Sequence, residues 1–242
     1  FKVLAQISAA GCQSPRDLAR NYKAAEPDFW REDGVAELGR RVFDAVSRAA
    51  DSVSSVDFSP VFRHYVSRVS LPRRRVSSED VRKASEELRR LESVMSADDA
   101  YKDFCGEVAR NEKIPGRPGP YDSKLHHFVL IQNNKAVLER AATQDKSPFF
   151  EMELHVVRLG DNVLVTNPFE LYLDFGQQMK ARSRARQTFV VQLACDGGGY
   201  LPSARAEELG GYGGLVINGN VGSQGGKILV DETLKAIEKI WS

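Results

Sequence analysis

The sequence predicts an α/β fold in which mixed sheets alternate with helices along the chain. Apolar residues recur with the two-residue period of strands in some segments and with the 3.6-residue period of helices in others, and the two kinds of segment alternate. The 242 residues are 42% hydrophobic and 28% charged, which is typical of a globular protein with a sizeable core. We therefore expect a single α/β domain over residues 1–242.

Charge and apolar run length limit the partners of this protein. The formal net charge of +1 does not favour nucleic-acid binding, because nucleic-acid-binding proteins carry a clear excess of Lys and Arg. Apolar runs such as residues 188–194 are far shorter than the ~20 residues that cross a bilayer. Cys12, Cys105 and Cys195 are widely spaced and predict neither a disulfide scaffold nor a zinc ribbon. The chain starts directly on a strand-like segment, FKVLAQIS, so we expect it to be part of a larger protein.

The first part of the chain is predicted to contain two strands and one helix. Residues 2–8 form the first strand, and residues 35–53 place apolar side chains at helical spacing. Residues 61–71 alternate apolar and polar residues, as a half-buried strand does, and Pro72 marks the end of that strand. Three residues of this second strand are expected to point inward: Phe62, Val66 and Val69.

A helical region follows. Ser77 and Asp80 form a capping-box pattern that begins a helix rich in Glu and Arg. Residues 97–111 and residues 124–142 are predicted to form two further helices. Between them, residues 114–121 (IPGRPGPY) hold three prolines and two glycines, so we expect a loop there.

The last part of the chain returns to alternating strands and helices. Residues 149–159 and 163–166 flank the turn Gly160-Asp161-Asn162 and predict a β-hairpin. Three more elements are predicted: a helix over 170–182, a buried strand over 188–194 and a helix over 232–241.

Three loops that follow predicted strands contain the most unusual residues. They are residues 11–16 (GCQSPR), which we call the serine loop, residues 167–170 (NPFE) and residues 196–202 (DGGGYLP). Ligands of α/β proteins collect beyond the carboxyl ends of strands, so we expect the three loops to share one rim of the sheet. Taken singly, each loop is also consistent with an ordinary turn, because Gly, Pro, Ser and Asn are turn residues.

Taken together, the loops resemble motifs of the neutral, non-lysosomal ceramidases and their bacterial relatives. The resemblance lies in the order strand, G-x-Q-S-P-R, N-P-x-E, G-Y-L-P-S and G-G-Y, and corresponds to the C-terminal part of that family's catalytic domain. It implies that Ser14 is the nucleophile, that Glu170 and Tyr200 bind zinc, and that Tyr212 approaches the amide carbonyl of the substrate. The implied activity is zinc-dependent hydrolysis of an N-acyl, ceramide-like amide, and the implied location is secreted or periplasmic.

The family's remaining zinc ligands are two histidines upstream of the serine loop. Only 13 residues precede Ser14 and none is His, so the resemblance implies that an N-terminal segment of the same protein supplies them. Zinc accepts nitrogen and oxygen ligands and keeps an open position when it is catalytic. A tyrosine, with a reference pKa of about 10, coordinates as phenolate only beside such a cation. Without metal, Tyr200 is more simply a buried ring with a hydrogen-bonded hydroxyl.

Three positions depart from the family's motifs: Cys12 replaces Asp, Phe169 replaces Gly and Gly213 replaces Glu. These departures favour an alternative, a non-catalytic member of the same fold that has lost the metal site and binds a ligand or partner. A third interpretation is an enzyme that acts on another amide or ester, because no residue here identifies a long acyl chain. Cys12 is an alternative nucleophile but ranks below Ser14, since no histidine is near it in sequence.

Other candidate residues have structural interpretations. His126 and His127 are adjacent on a predicted helix and point about 100° apart, which makes them a poor chelating pair. His64 and His155 are predicted to be half-buried strand residues. Two arginine groups could bind phosphate or anionic lipid, but the near-neutral net charge favours a solvated surface for both. These groups are Arg73 to Arg75, and Arg182 with Arg184 and Arg186.

Overall fold

The computed structural model describes residues 6–15, 29, 32–113 and 126–242, and it has the α/β fold that the sequence predicts. Helices and strands are interspersed from residue 32 to residue 241. The helices are α1 (Glu32–Asp51), α2 (Ser78–Val94), α3 (Ala97–Asn111), α4 (His127–Thr143), α5 (Leu173–Arg182), α6 (Ala204–Leu209) and α7 (Ser223–Trp241). The strands are β1 (Phe62–Pro72), β2 (Phe149–Leu159), β3 (Asn162–Thr166), β4 (Phe169–Leu171), β5 (Gln187–Val191) and β6 (Gly199–Leu201).

The strands form one four-stranded mixed sheet and one two-stranded sheet. In the larger sheet the order is β1-β2-β3-β5; the first two pairings are antiparallel and β3 pairs with β5 in parallel. The predicted hairpin between β2 and β3 is confirmed, and Gly160 in its turn has a φ of 59°, which glycine adopts without strain. In the smaller sheet, β4 and β6 pair in parallel.

The main hydrophobic core lies between one face of the larger sheet and helices α5 and α7. Val69 and Leu71 of β1 point into it, whereas Phe62 and Val66 are 68% and 43% exposed. The prediction of an inward position is therefore correct for Val69 and wrong for Phe62 and Val66. The reason is the two-residue period of a strand, which puts even-numbered residues of β1 on the face opposite Val69. Apolar residues occupy both faces of this strand, so the sequence does not identify the inner one.

Helices α2, α3 and α4 pack on one another around two smaller apolar clusters. The capping box at the start of α2 is confirmed: the Ser77 side chain accepts from the Asp80 backbone N–H, and the Asp80 carboxylate accepts from the Ser77 backbone N–H. Helix α3 has the bounds that the sequence predicts. The predicted loop at 114–121 lies outside the described residues.

Several predicted elements have different bounds in the structure. Residues 6–8 are not a strand, and residues 1–5 lie outside the described part of the chain. Glu170 belongs to β4 rather than to the start of a helix, because residues 169–171 pair with β6 and α5 begins only at Leu173. The C-terminal helix begins at Ser223, nine residues earlier than predicted. Every helix within the described ranges is too short or too polar to span a bilayer. The single domain over 1–242 remains a prediction.

Candidate functional site

The two-stranded sheet brings Glu170 and Tyr200 side by side. In the parallel register of β4 and β6, Glu170 is directly opposite Tyr200. The flanking residues Phe169, Leu171 and Leu201 are fully buried. Because side chains alternate between the two faces of a strand, the buried flanks direct the Glu170 and Tyr200 side chains to the other, partly exposed face.

The environment of Tyr200 opposes its ionisation. Burial raises its pKa to about 12, and hydrogen bonding to the Glu170 carboxylate and the charge of Glu170 act in the same direction. Burial disfavours a charged phenolate, and a carboxylate beside it adds repulsion. In the absence of a cation, Tyr200 is therefore a neutral phenol beside an acidic side chain. The pair offers two oxygen ligands, of the kind that zinc accepts, from adjacent strands.

Two further tyrosines, Tyr212 and Tyr172, lie near Tyr200. The Tyr212 ring contacts it edge-on, with ring centroids 5.6 Å apart and an interplanar angle of 83°. Tyr172 precedes α5 and is buried, and its hydroxyl reaches the backbone of Gly213. A Cβ atom on Gly213 would lie 2.6 Å from the Tyr172 hydroxyl oxygen and 2.8 Å from Cδ1 of Tyr200. Glycine at position 213 is therefore what allows the three phenol rings to come together.

The serine loop is attached to the same strand as Glu170. The Gly11 N–H donates to the Leu171 carbonyl oxygen at 2.9 Å. A Cβ atom on Gly11 would lie 2.2 Å from the Glu170 carbonyl oxygen, so only glycine permits this approach. Ser14 is three residues beyond Gly11 and partly buried, and its Cα therefore lies within about 11 Å of the Cα of Gly11.

Gln192 holds the serine loop against β4. Its side-chain oxygen accepts hydrogen bonds from the backbone N–H groups of Ala10 and Leu171, each at 3.1 Å. Its own backbone N–H donates to the carbonyl oxygen of Ile7 at 3.4 Å. One side chain thus satisfies backbone groups of two segments that no regular strand pairing joins.

Cys12 lies at the start of helix α5. Its sulfur accepts a hydrogen bond from the Leu173 N–H at 3.3 Å, and the charge of Cys12 contributes to the raised pKa of Tyr172, after the larger effect of burial. Cys12 is exposed and is not part of a disulfide. We call Tyr172, Tyr200 and Tyr212 the phenol cluster, and Cys12 is near it, because Cys12 is one of the groups that raise the pKa of Tyr172.

The segment between β5 and β6 is hydrogen-bonded to the backbone at and just before the start of β4. Leu193 and Cys195 have φ values of 56° and 72°, which are unusual for residues other than glycine and occur most often at functional sites. The Ala194 N–H donates to the Asn167 carbonyl oxygen at 2.9 Å, and the Gly198 N–H donates to that of Pro168. A Cβ atom on Gly198 would lie 2.2 Å from the Phe169 ring, so the large side chain at 169 requires glycine opposite it.

The predicted convergence of the three loops is therefore present, at β4 and β6. Glu170, Tyr200 and Tyr212 are in contact, and the serine loop is bonded to the Glu170 strand; Arg16, the last residue of that loop, lies outside the described residues. Sequence reasoning missed Tyr172 and Gln192. Neither belongs to a motif, and both act through contacts that only the folded chain creates.

Histidines do not contribute to this arrangement. His64 and His155 stack on each other across β1 and β2, with Nε2 and Nδ1 3.0 Å apart, and His126 and His127 are at the start of α4. In the described part of the chain, no three His, Cys, Asp or Glu side chains are grouped as a metal site would need. Glu170 and Tyr200 thus form a pair of oxygen donors that needs further ligands to complete a zinc shell.

No protein-family model, curated protein or solved structure matches this chain.

Proposed function

We propose that this chain carries the nucleophile and half of the metal ligands of a zinc-dependent amidohydrolase that resembles neutral ceramidase. The substrate class is an N-acyl, ceramide-like amide. One observation supports this proposal above the others: Glu170 and Tyr200 are opposite each other in β4 and β6, and the serine loop is hydrogen-bonded to the same strand. The serine loop and two oxygen donors therefore share one rim.

Each residue has a distinct role in the proposed reaction. The Ser14 hydroxyl oxygen attacks the amide carbonyl carbon, and Tyr212 donates a hydrogen bond to the carbonyl oxygen as negative charge develops there. The C–N bond then breaks, the amine leaves with the serine proton, and water hydrolyses the acyl-serine ester. Zinc, when bound, supplies a positive charge that stabilises the oxyanion and favours loss of the serine proton. Glu170 and Tyr200 would hold the metal.

The proposal requires two more ligands. In the family that the motifs resemble, these are histidines upstream of the serine loop, and we propose that a segment of the same protein outside residues 1–242 supplies them. The raised pKa of Tyr200 is compatible with a ligand role, because a bound cation offsets both the burial and the repulsion that keep the phenol protonated. Zinc binding should therefore release the Tyr200 proton.

Three leucines close in sequence to residues of the candidate site are exposed, and we propose that they contact the acyl chain of the substrate. Leu193 follows β5, and Leu209 and Leu215 flank Tyr212 in sequence; these side chains are 55%, 70% and 43% exposed. Tyr212 itself is 56% exposed.

The test is hydrolysis of a fluorescent N-acylsphingosine by the full-length polypeptide, with zinc content measured on the same samples. Ser14→Ala should abolish turnover and keep zinc, whereas Tyr200→Phe should lose both. Tyr212→Phe should keep zinc and lower kcat by about a hundredfold, the cost of one oxyanion donor. Tyr101→Phe, an exposed tyrosine of α3, is the matched control. Turnover that survives Ser14→Ala but not Cys12→Ala would transfer the nucleophilic role to Cys12.

A second candidate function is the non-catalytic binding of a lipid-like ligand on the same fold. Cys12, Phe169 and Gly213 favour it, because each stands where the resembled family has another residue. In the structure, Phe169 fills the core beside Gly198, and Gly213 makes room for Tyr172. The same experiment separates the two functions, since a binding protein would retain the lipid but show neither zinc nor turnover.

A further inference from the structure

Four arginines line one pocket of the structure. Arg73, Arg74 and Arg75 follow the buried end of β1, and Arg140 reaches the pocket from α4. The pocket has a volume of about 510 Å³, within the range of small-molecule sites. We call it the arginine pocket. The expected solvated surface is correct for Arg75, whose side chain is 60% exposed, and wrong for Arg73 and Arg74, which are partly buried.

Arg140 is fixed in place by backbone carbonyl groups. Its guanidinium donates four hydrogen bonds, to the carbonyl oxygens of Val216, Gly219, Arg74 and Asn220. None of these acceptors is charged, so the positive charge of Arg140 has no carboxylate partner among the described residues. Burial lowers the pKa of Arg140, and the charges of Arg73 and Arg74 lower it further.

Arg73 also donates hydrogen bonds to uncharged oxygen atoms. Its guanidinium donates to the Phe149 carbonyl oxygen at 3.1 Å and to the Asn220 side-chain oxygen at 2.9 Å, and it packs 5.2 Å from the centroid of the Phe150 ring. These contacts use two of the five N–H donors of a guanidinium. Within the described ranges Arg73 forms no ion pair, and its remaining donors are available to a ligand.

The other charges near the pocket leave a positive excess. Arg74 lies 3.6 Å from Glu207, and Arg75 pairs with Asp145 at 2.8 Å in an exposed contact. Glu139 is the one carboxylate among the residues that line the pocket. Partly buried charges of one sign are costly unless an opposite charge accompanies them. An oxyanion in the pocket would remove this cost.

We propose that the arginine pocket binds a phosphate group, carried by a small phosphorylated molecule or by a phospholipid headgroup. The planar guanidinium of Arg73 is held by Phe149, Phe150 and Asn220, and pre-oriented guanidinium groups bind phosphate oxygens in pairs. Arg75 lines the same pocket with an exposed side chain, so its guanidinium is accessible to the ligand. The pocket is larger than a bare phosphate requires, and the excess volume accommodates the rest of the ligand.

This site is independent of the proposed hydrolase. The residues that line the arginine pocket do not include Ser14, Glu170, Tyr200 or Tyr212. Loss of Ser14 or Tyr200 should therefore leave phosphate binding unchanged.

The experiment is isothermal titration with inorganic phosphate and with glycerol phosphate, at constant ionic strength set by chloride. Arg73→Gln and Arg75→Gln should each weaken binding about tenfold or more, the cost of a charge-assisted hydrogen bond. Arg182→Gln is the matched control, because Arg182 forms an exposed surface pair with Asp231. Arg75 makes no buried contact, so its variant keeps the test valid if Arg73→Gln fails to fold.

Flotation with phosphatidylcholine vesicles, with and without phosphatidic acid, distinguishes the two sources of phosphate. Binding to phosphatidic acid vesicles that is lost in Arg75→Gln identifies a headgroup site. Binding of glycerol phosphate alone, with the same loss, identifies a soluble ligand. The proposal is overturned if the wild type binds none of these probes saturably, or if Arg75→Gln binds them as the wild type does.

Discussion

Tyr200 is the residue on which the chemistry of the candidate site depends most. Its pKa is raised because burial and Glu170 both oppose the phenolate. The folded protein therefore holds this proton more tightly than the unfolded chain does, in which a tyrosine has a pKa of about 10. The resulting stability is fully present below pH 10 and is lost as the pH rises through about 12.

We expect Tyr200→Phe to make the free energy of unfolding depend less on pH in the alkaline range. In metal-free protein, the free energy of unfolding of the wild type should fall more steeply between pH 10 and about 12 than that of the variant. Urea unfolding at a series of pH values measures the difference. If the free energies of unfolding of the wild type and the variant fell in parallel over this pH range, the pKa of Tyr200 would not be raised by folding.

Gln192 is a second residue whose role is open to a direct test. Gln192→Leu removes the acceptor of the Ala10 and Leu171 N–H groups, and we expect a loss of about 1–3 kcal/mol in the free energy of unfolding. Gln192→Glu keeps an acceptor and should cost less. Gln187→Leu, at an exposed position of β5, should change the free energy by no more than about 0.5 kcal/mol. If Gln192→Leu and Gln187→Leu lowered the free energy of unfolding equally, the hydrogen bonds from Gln192 to the serine loop and β4 would not stabilise the fold.

At the scale of elements, the site depends on β4, β6 and the short 3-10 helix Tyr212–Gly214. Sequence patterns predicted α2 and α3 closely, because their capping residues are local: the side chains of Ser77 and Ser96 cap backbone groups three residues away. The strand β4 was not predictable in the same way. It has only three residues, and its pairing with β6, 30 residues later, decides that Glu170 is in a strand.

The packing of these elements predicts an asymmetry between two neighbouring glycines. Gly213→Ala should cost about 1–3 kcal/mol of unfolding free energy, because the new methyl group overlaps Tyr172 and Tyr200. Gly211→Ala is the matched control, since a Cβ atom there meets nothing within 4 Å. Tyr172→Phe should recover part of the loss in Gly213→Ala, because the hydroxyl is the nearest atom. Thermal unfolding of the four proteins measures this, and equal stability of the two alanine variants would contradict the packing.

At the scale of the whole molecule, the sequence indicated where the site lies but not how it is assembled. Ligand loops gather beyond strand ends in α/β proteins, and this rule correctly brought the serine loop, Glu170 and Tyr200 to one place. It did not indicate Gln192, whose side chain bonds a backbone group 182 residues away in the sequence. It did not indicate Tyr172 either, because the space for the Tyr172 hydroxyl exists only when residue 213 is glycine. Such contacts depend on tertiary structure and leave no periodic signal in the sequence.

The arginine pocket shows that the net charge of a sequence does not predict the surroundings of a particular charged residue either. Net charge favoured a solvated surface for Arg73 to Arg75, and this expectation holds for Arg182 and Arg184, which form exposed pairs with Asp231 and Glu238. It fails for Arg73, because the fold packs its guanidinium against Phe150 and brings Arg140 beside it. A net charge averages over the surface and carries no information about where like charges meet.

We propose that Tyr200 binds zinc as a phenolate beside Glu170. The most direct measurement is the near-ultraviolet difference spectrum of metal-free, full-length polypeptide as zinc is added at neutral pH. We predict a phenolate band that grows to one equivalent per chain, with release of a proton, in the wild type and in Tyr212→Phe, and no such band in Tyr200→Phe. A wild-type protein that shows no phenolate at saturating zinc, or a band that persists in Tyr200→Phe, would contradict the claim.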